Sequence, residues 1–100
     1  MINLTISNEE YLNDLMELVR PFEARWKQDL SIDVDYKDDN GGMKIRISSD
    51  ALCGFVKNYA FKVVAKDDLE RKRIEKRYLK IAIYRTLSFL TGVNLPYGCL

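Results

Sequence analysis

The sequence predicts an α+β fold, an antiparallel sheet with two helices in the order β-α-β-β-β-α. Three observations predict it. Short segments alternate apolar and polar residues, as half-buried strands do, at Ile2-Leu4-Ile6, Ile32-Val34-Tyr36 and Met43-Ile45-Ile47. Two longer segments instead repeat their apolar residues at helical spacing. Helices and strands do not alternate regularly, which points to an antiparallel sheet with helices on one face.

Ile2, Leu4 and Ile6, separated by Asn3 and Thr5, form the first strand. Ser7-Asn8-Glu9-Glu10 then has the pattern of a capping box, in which the Ser side chain bonds the amide three residues on and Glu10 reaches back. The helix it opens carries Tyr11, Leu12, Leu15, Met16, Leu18, Val19 and Phe22, and Pro21 is expected to end or kink it near Arg20. Trp26 is expected to cover a core edge in the connection that follows. The strands at 32–36 and 43–47 flank Asp38-Asp39-Asn40-Gly41-Gly42, a cluster tolerant of positive φ, and so form a hairpin. On its polar face Asp33 and Asp35 come near Lys44 and Arg46, a charge pairing that is structural rather than a catalytic carboxylate dyad. A last strand spans Phe55 to Ala65, with Phe55, Tyr59, Phe61 and Val63 in one phase and Gly54 marking a bend before it. Asp67-Asp68 start the second helix with acids at its positive end. Gly92 caps it after Thr91, and Pro96 prevents continuation. About 24 residues give it about 36 Å of length.

The chain, residues 1–100, is one domain of 11.7 kDa with an ordinary globular composition, 47% hydrophobic and 31% charged, so it can close one core without disulfide staples. It holds no histidine and two cysteines, Cys53 and Cys99. That excludes His-based acid–base work, Ser-His-Asp and Cys-His nucleophiles, and a four-ligand Cys/His zinc site. Neither a basic segment followed by an apolar run at the N-terminus nor a stretch of about 20 apolar residues is seen. The expected compartment is therefore the cytoplasm, without a membrane partner and with reduced thiols. The net charge of +1 conceals a strong asymmetry. Residues 1–50 hold 11 acids against 6 bases, net −5, and residues 51–100 hold 10 bases against 4 acids, net +6.

The second helix carries two apolar stripes. Ile74, Tyr78, Ile81, Ala82 and Phe89 make the stripe expected to face the sheet. Leu79, Ile83, Leu87 and Leu90 make another about 145° away, more apolar surface than one sheet contact covers. Those four are candidate interface residues, since each exposed aliphatic forgoes about 1.5 to 3 kcal/mol of burial. The alternative is that Val19 or Phe22 of the first helix covers them. Earlier on the same helix Lys72, Lys76 and Lys80 form a like-charged row with Arg73 and Arg77 beside it, a basic patch only partly relieved by Asp67 and Asp68. Such rows bind phosphates or, more commonly, remain solvated. Without interleaved exposed aromatics or a recognisable nucleic-acid fold a nucleic-acid role is a weak reading, and an acidic patch on a neighbouring domain is at least as good a partner.

The end of the chain adds a motif. Tyr84-x-x-Leu87-x-x-Leu90-Thr91-Gly92, followed by five residues, Gly98, one residue and Leu100, resembles the N-terminal region of the oxygen-independent coproporphyrinogen III oxidase-like radical SAM proteins of Gram-positive bacteria, the coproporphyrinogen dehydrogenases. In that family the segment runs into Thr-Gly-Ile/Val-Arg-Pro-Thr-Lys and then the catalytic barrel. Only residues 84–100 are motif-like, and Tyr97 stands where the family often has Trp. Upstream the likeness is one of layout. The resemblance implies a parent in porphyrin (haem) biosynthesis, a radical SAM oxidoreductase that binds a 4Fe-4S cluster through Cys-x-x-x-Cys-x-x-Cys, cleaves S-adenosylmethionine and oxidatively decarboxylates propionates. Cys53 and Cys99 do not have that spacing, so no catalytic, cofactor-binding or metal-binding residue carries over. The expectation is a non-catalytic accessory domain, a piece of a longer protein, that docks through Leu79, Ile83, Leu87 and Leu90 on its own catalytic domain. Its competitors are a stand-alone module that homodimerises through the same stripe and a nucleic-acid adaptor using Lys72, Arg73, Lys76, Arg77 and Lys80.

Overall fold

The structure is a computed structural model that describes residues 1–39, 41–49 and 54–93. The expectations placed on Asn40, Cys53, Cys99 and the 94–100 part of the motif lie outside those residues. The elements are β1 (Ile2–Ile6), a single 3-10 turn (Glu9–Tyr11), α1 (Leu12–Arg25), β2 (Leu30–Asp39), β3 (Gly42–Ser49), β4 (Phe55–Lys62) and α2 (Asp68–Thr91). One four-stranded sheet has the order β1-β2-β3-β4. The α+β class and the element order are as the sequence predicts.

The sheet is mixed rather than purely antiparallel. β2, β3 and β4 pair antiparallel, whereas β1 lies parallel to β2, with Leu4 opposite Ile32 and Ile6 opposite Val34. The cause is α1. A helix between two neighbouring strands carries the chain back to the end it started from, so the second strand repeats the direction of the first.

Asn8, not Ser7, caps the first helical segment, its Oδ1 accepting the Glu10 amide at 3.0 Å. The helix also runs through Pro21 to Arg25 instead of ending near Arg20. A proline inside a helix costs about 3 kcal/mol. Two anchors in the last turn oppose that cost. Phe22 is fully buried, and Glu23 Oε2 accepts the Ile2 amide at 2.8 Å, fastening α1 to β1. Trp26 packs half-buried against the core, as expected of it.

The ladder between β2 and β3 closes at Asp39 opposite Gly42, with Gly41 at φ +78°, so β2 and β3 form the expected hairpin. Asp67 caps α2 by accepting the Glu70 amide at 2.8 Å, and Glu70 Oε2 reaches back to the Lys66 amide. Gly92, at φ +71°, ends the helix by donating its amide to Ser88.

Both helices cover one face of the sheet. Ile2, Leu4, Ile6, Leu30, Ile32, Val34, Met43, Ile45 and Ile47 point into it from β1, β2 and β3 and join Leu15, Val19 and Phe22 of α1 and Leu79, Ala82, Ile83 and Leu87 of α2 in one core. The stripes of α2 are therefore exchanged with respect to expectation. Leu79, Ile83 and Leu87 are fully buried and Leu90 packs half-buried against the same core, so this is not a free interface. Of the stripe expected against the sheet, Ala82 alone is buried, Ile74, Tyr78 and Ile81 are half-buried, and Phe89 is 76% exposed. The reason is lateral. α2 packs on β3 and β4 below and on α1 beside it, so its buried arc extends from Ala82 to Leu87, about 140° of the helix. The Phe22 ring meets Tyr84 edge-on at 5.7 Å across that helix–helix seam. Among the described residues no helix is long and apolar enough to cross a membrane.

Candidate functional site

Two of the five residues of the basic patch, Lys72 and Lys76, are paired within the molecule. The α1–α2 seam sets the acidic start of the chain against the basic half of α2. Lys76 Nζ lies 3.0 Å from Asp14 Oδ2, and Lys72 Nζ lies 3.5 Å from Glu10 Oε1. Arg71 bridges two carboxylates, Nη2 to Asp38 Oδ1 at 2.9 Å and Nε to Glu75 Oε1 at 3.3 Å. The like-charged row that is repulsive on an isolated helix thus becomes part of the tertiary packing. Arg73 borders the same cleft as Lys72 and Lys76, Arg77 is exposed, neither arginine has an ion pair among the described residues, and Lys80 is half-buried. At 100° per residue the five cations share about 140° of the helix, a basic flank on which Lys72 and Lys76 are paired.

Electrostatics at the seam follow burial and partners. The hydrogen bond and charge of Lys76 hold the Asp14 carboxyl below its ordinary range. Burial pushes the Glu75 carboxyl up, the nearby Asp38 charge adds to this, and Arg71 opposes both. Tyr11, packed against Tyr36 and near Glu75, is pushed up to about 12, mainly by burial. Arg71 already occupies the space between the carboxylates of Glu75 and Asp38. The trio holds α2 to the end of β2.

A different place combines shape, aromatic surface and charge. β4 and the C-terminal half of α2 enclose a groove of about 410 Å³ lined by Phe55, Lys57, Asn58, Tyr59, Arg85, Thr86 and Phe89. In its floor the Tyr59 hydroxyl meets Thr86 Oγ1 at 2.9 Å, and Thr86 donates to the Ala82 carbonyl at 2.8 Å, which leaves Tyr59 as the donor to Thr86. At one end Phe89 stacks on Phe55 with ring centres 6.3 Å apart. Lys57 and Arg85 stand exposed on its sides, neither with an ion-pair partner among the described residues. The sequence reading missed this groove, although one signal was present. Lys57 interrupts the inward phase of β4 between Phe55 and Tyr59, opposite the fully buried Ile47, where a covered strand would carry an apolar residue. A wider concavity of about 610 Å³ lies on the open face of the sheet, but there Asp35 stands opposite Arg46 and Lys44 is bound to Asp39 at 3.2 Å, so charges of both signs cancel.

Among the described residues no group of three His, Cys, Asp or Glu side chains is placed to hold a metal ion. With two cysteines 46 positions apart, the chain itself does not fit the Cys-x-x-x-Cys-x-x-Cys ligand set of a 4Fe-4S cluster. The fold and groove together define a small α+β domain with an aromatic, cationic groove between β4 and α2. Comparison with family models, with curated proteins and with solved structures returned no match.

Proposed function

We propose that the chain is the non-catalytic N-terminal accessory domain of an oxygen-independent coproporphyrinogen III oxidase-like radical SAM protein, acting in porphyrin biosynthesis beside a catalytic domain that this chain does not include. The observation that carries the reading is the motif Tyr84-x-x-Leu87-x-x-Leu90-Thr91-Gly92. Its residues have physical duties that suit the end of a delivering helix. Leu87 locks α2 into the core, Thr91 Oγ1 donates to the Leu87 carbonyl and accepts the Val93 amide, and Gly92 takes the left-handed conformation that stops the helix. The cluster and S-adenosylmethionine chemistry would belong wholly to the missing domain.

Docking on that domain cannot use Leu79, Ile83 and Leu87, because they are spent in this domain's own core. A homodimer through that stripe fails for the same reason. The exposed outer side of α2, with Arg77, Arg85 and Phe89, is the surface left for a neighbour. The test begins with the coding sequence beyond Leu100. An Arg-Pro-Thr-Lys continuation and a later cysteine triplet are expected. The longer protein, reconstituted with iron and sulfide, should cleave S-adenosylmethionine to 5′-deoxyadenosine, and residues 1–100 alone should not. A reading frame lacking the triplet would end this proposal.

A further inference from the structure

We infer that the free edge of β4, together with the groove beside it, is a docking site for an extended acidic segment of a partner polypeptide, which adds to the sheet as a fifth strand. The inference stands on this edge alone and holds whether or not the radical SAM reading does.

The backbone supplies the first part of the argument. Among the described residues β4 is the last strand of the sheet, and its eight residues pair only with β3. The Val63 amide donates to the Gly41 carbonyl at 2.9 Å, which fixes the alternation of the antiparallel ladder. Residues 55, 57, 59, 61 and 63 turn their N–H and C=O groups toward β3. Val56, Asn58, Ala60 and Lys62 therefore turn theirs outward. Of these the Lys62 carbonyl is taken by the Tyr78 hydroxyl at 3.0 Å. Those of Val56, Asn58 and Ala60 have no partner among the described residues, a run of three residues each offering one donor and one acceptor to a new strand. The opposite edge differs. β1 has five residues, and Glu23 already takes the Ile2 amide.

Side chains supply the second part. An added strand would pass along the groove, with Phe55 and Phe89 as an apolar shelf for one of its side chains and Lys57 and Arg85 as charge on either side. Both walls are purely cationic. Residues 54–66 contain Lys57, Lys62 and Lys66 and no carboxylate, and after Glu75 the chain contains Lys76, Arg77, Lys80 and Arg85 and no carboxylate at all. Edge lysines ordinarily discourage pairing between copies of one protein. A second copy presenting this same edge would meet a repelling field, whereas a segment with Asp or Glu in alternate positions would be steered in and neutralised.

The experiment uses the 100-residue chain, labelled with nitrogen-15, and a peptide alternating Glu and Val. Saturable shifts of the Val56, Asn58, Ala60 and Arg85 amides are expected at low ionic strength. A Lys-Val peptide should bind at least about tenfold more weakly, as should a Glu-Val peptide N-methylated at alternate residues so that it cannot join a ladder. Asn58→Pro removes an outward amide without removing a bond to β3 and should abolish the shifts. Lys57→Glu with Arg85→Glu should do so without touching the backbone, and unchanged thermal unfolding would show that either variant is folded. Equal binding of the three peptides, shifts elsewhere, no saturable binding, or dimerisation of the chain through β4 would each overturn the inference.

Discussion

Ile83→Ala is the sharpest test of which side of α2 is the inside. Ile83 has no accessible surface and lies in the core between the sheet and α1. The substitution removes three carbons, about 2.4 kcal/mol at about 0.8 kcal/mol per buried methylene, and leaves a cavity whose walls relax only in part. The expected cost is about 3 to 4 kcal/mol. For a domain of this size that lowers Tm by at least about 12 °C, since each 1 kcal/mol is worth about 4 to 8 °C. Ile81→Ala is the control, because Ile81 is half-buried on the outer side and should cost under about 1.5 kcal/mol. Urea unfolding followed by far-ultraviolet circular dichroism measures both. If Ile83→Ala unfolded at the parent's midpoint while Ile81→Ala lost several kcal/mol, the assignment of the core face would be wrong.

Three further outcomes follow from named contacts. Tyr59→Phe removes the hydroxyl bound to Thr86, which keeps its bond to Ala82, and should cost about 0.5 to 1.5 kcal/mol in the same unfolding assay. Gly92→Ala places a side chain at φ +71° where nothing crowds it, so the cost is the backbone strain alone, about 1 kcal/mol, seen as a small fall in Tm. Glu75 has its folded-state pKa raised above 4.5, so the folded state binds a proton more readily than the unfolded state, and its contribution to stability falls as pH rises from 4.5 through the raised value. Asp14 has the opposite sign, its contribution present above 3.8 and lost as pH falls through its lowered value. Urea midpoints across pH 3 to 7 should therefore lose the Glu75 component in Glu75→Gln and the Asp14 component in Asp14→Asn.

Element ends were legible because they are local chemistry. Asp67, Gly92 and Gly41 act through their own side chains or their own φ values, and the structure has α2 and the hairpin where these residues put them. The strand phases were legible for the same reason, since alternation is a property of the segment. What the sequence hid was which neighbour each element meets. Nothing in Ile2–Ile6 states whether its partner strand runs with it or against it, because the answer lies in the path of α1. Pro21 reads as a stop until the burial of Phe22 and the bond from Glu23 are weighed against it.

The same distinction accounts for the candidate site. α2 has apolar residues on both sides, so helical spacing alone could not decide which stripe was inside. Charge held the missing information. Glu10 in the 3-10 turn and Asp14 on α1 lie against Lys72 and Lys76 of α2, pairs that match α1 to the flank on which Leu79, Ile83 and Leu87 turn inward. The acidic and basic halves of the chain are therefore partly spent on each other across this seam. The part not so spent is the carboxylate-free stretch of β4 and the end of α2, beyond the reach of α1's acids. Among the described residues, a surplus of positive charge beside an unpaired strand edge offers both hydrogen bonds and field to something outside the molecule.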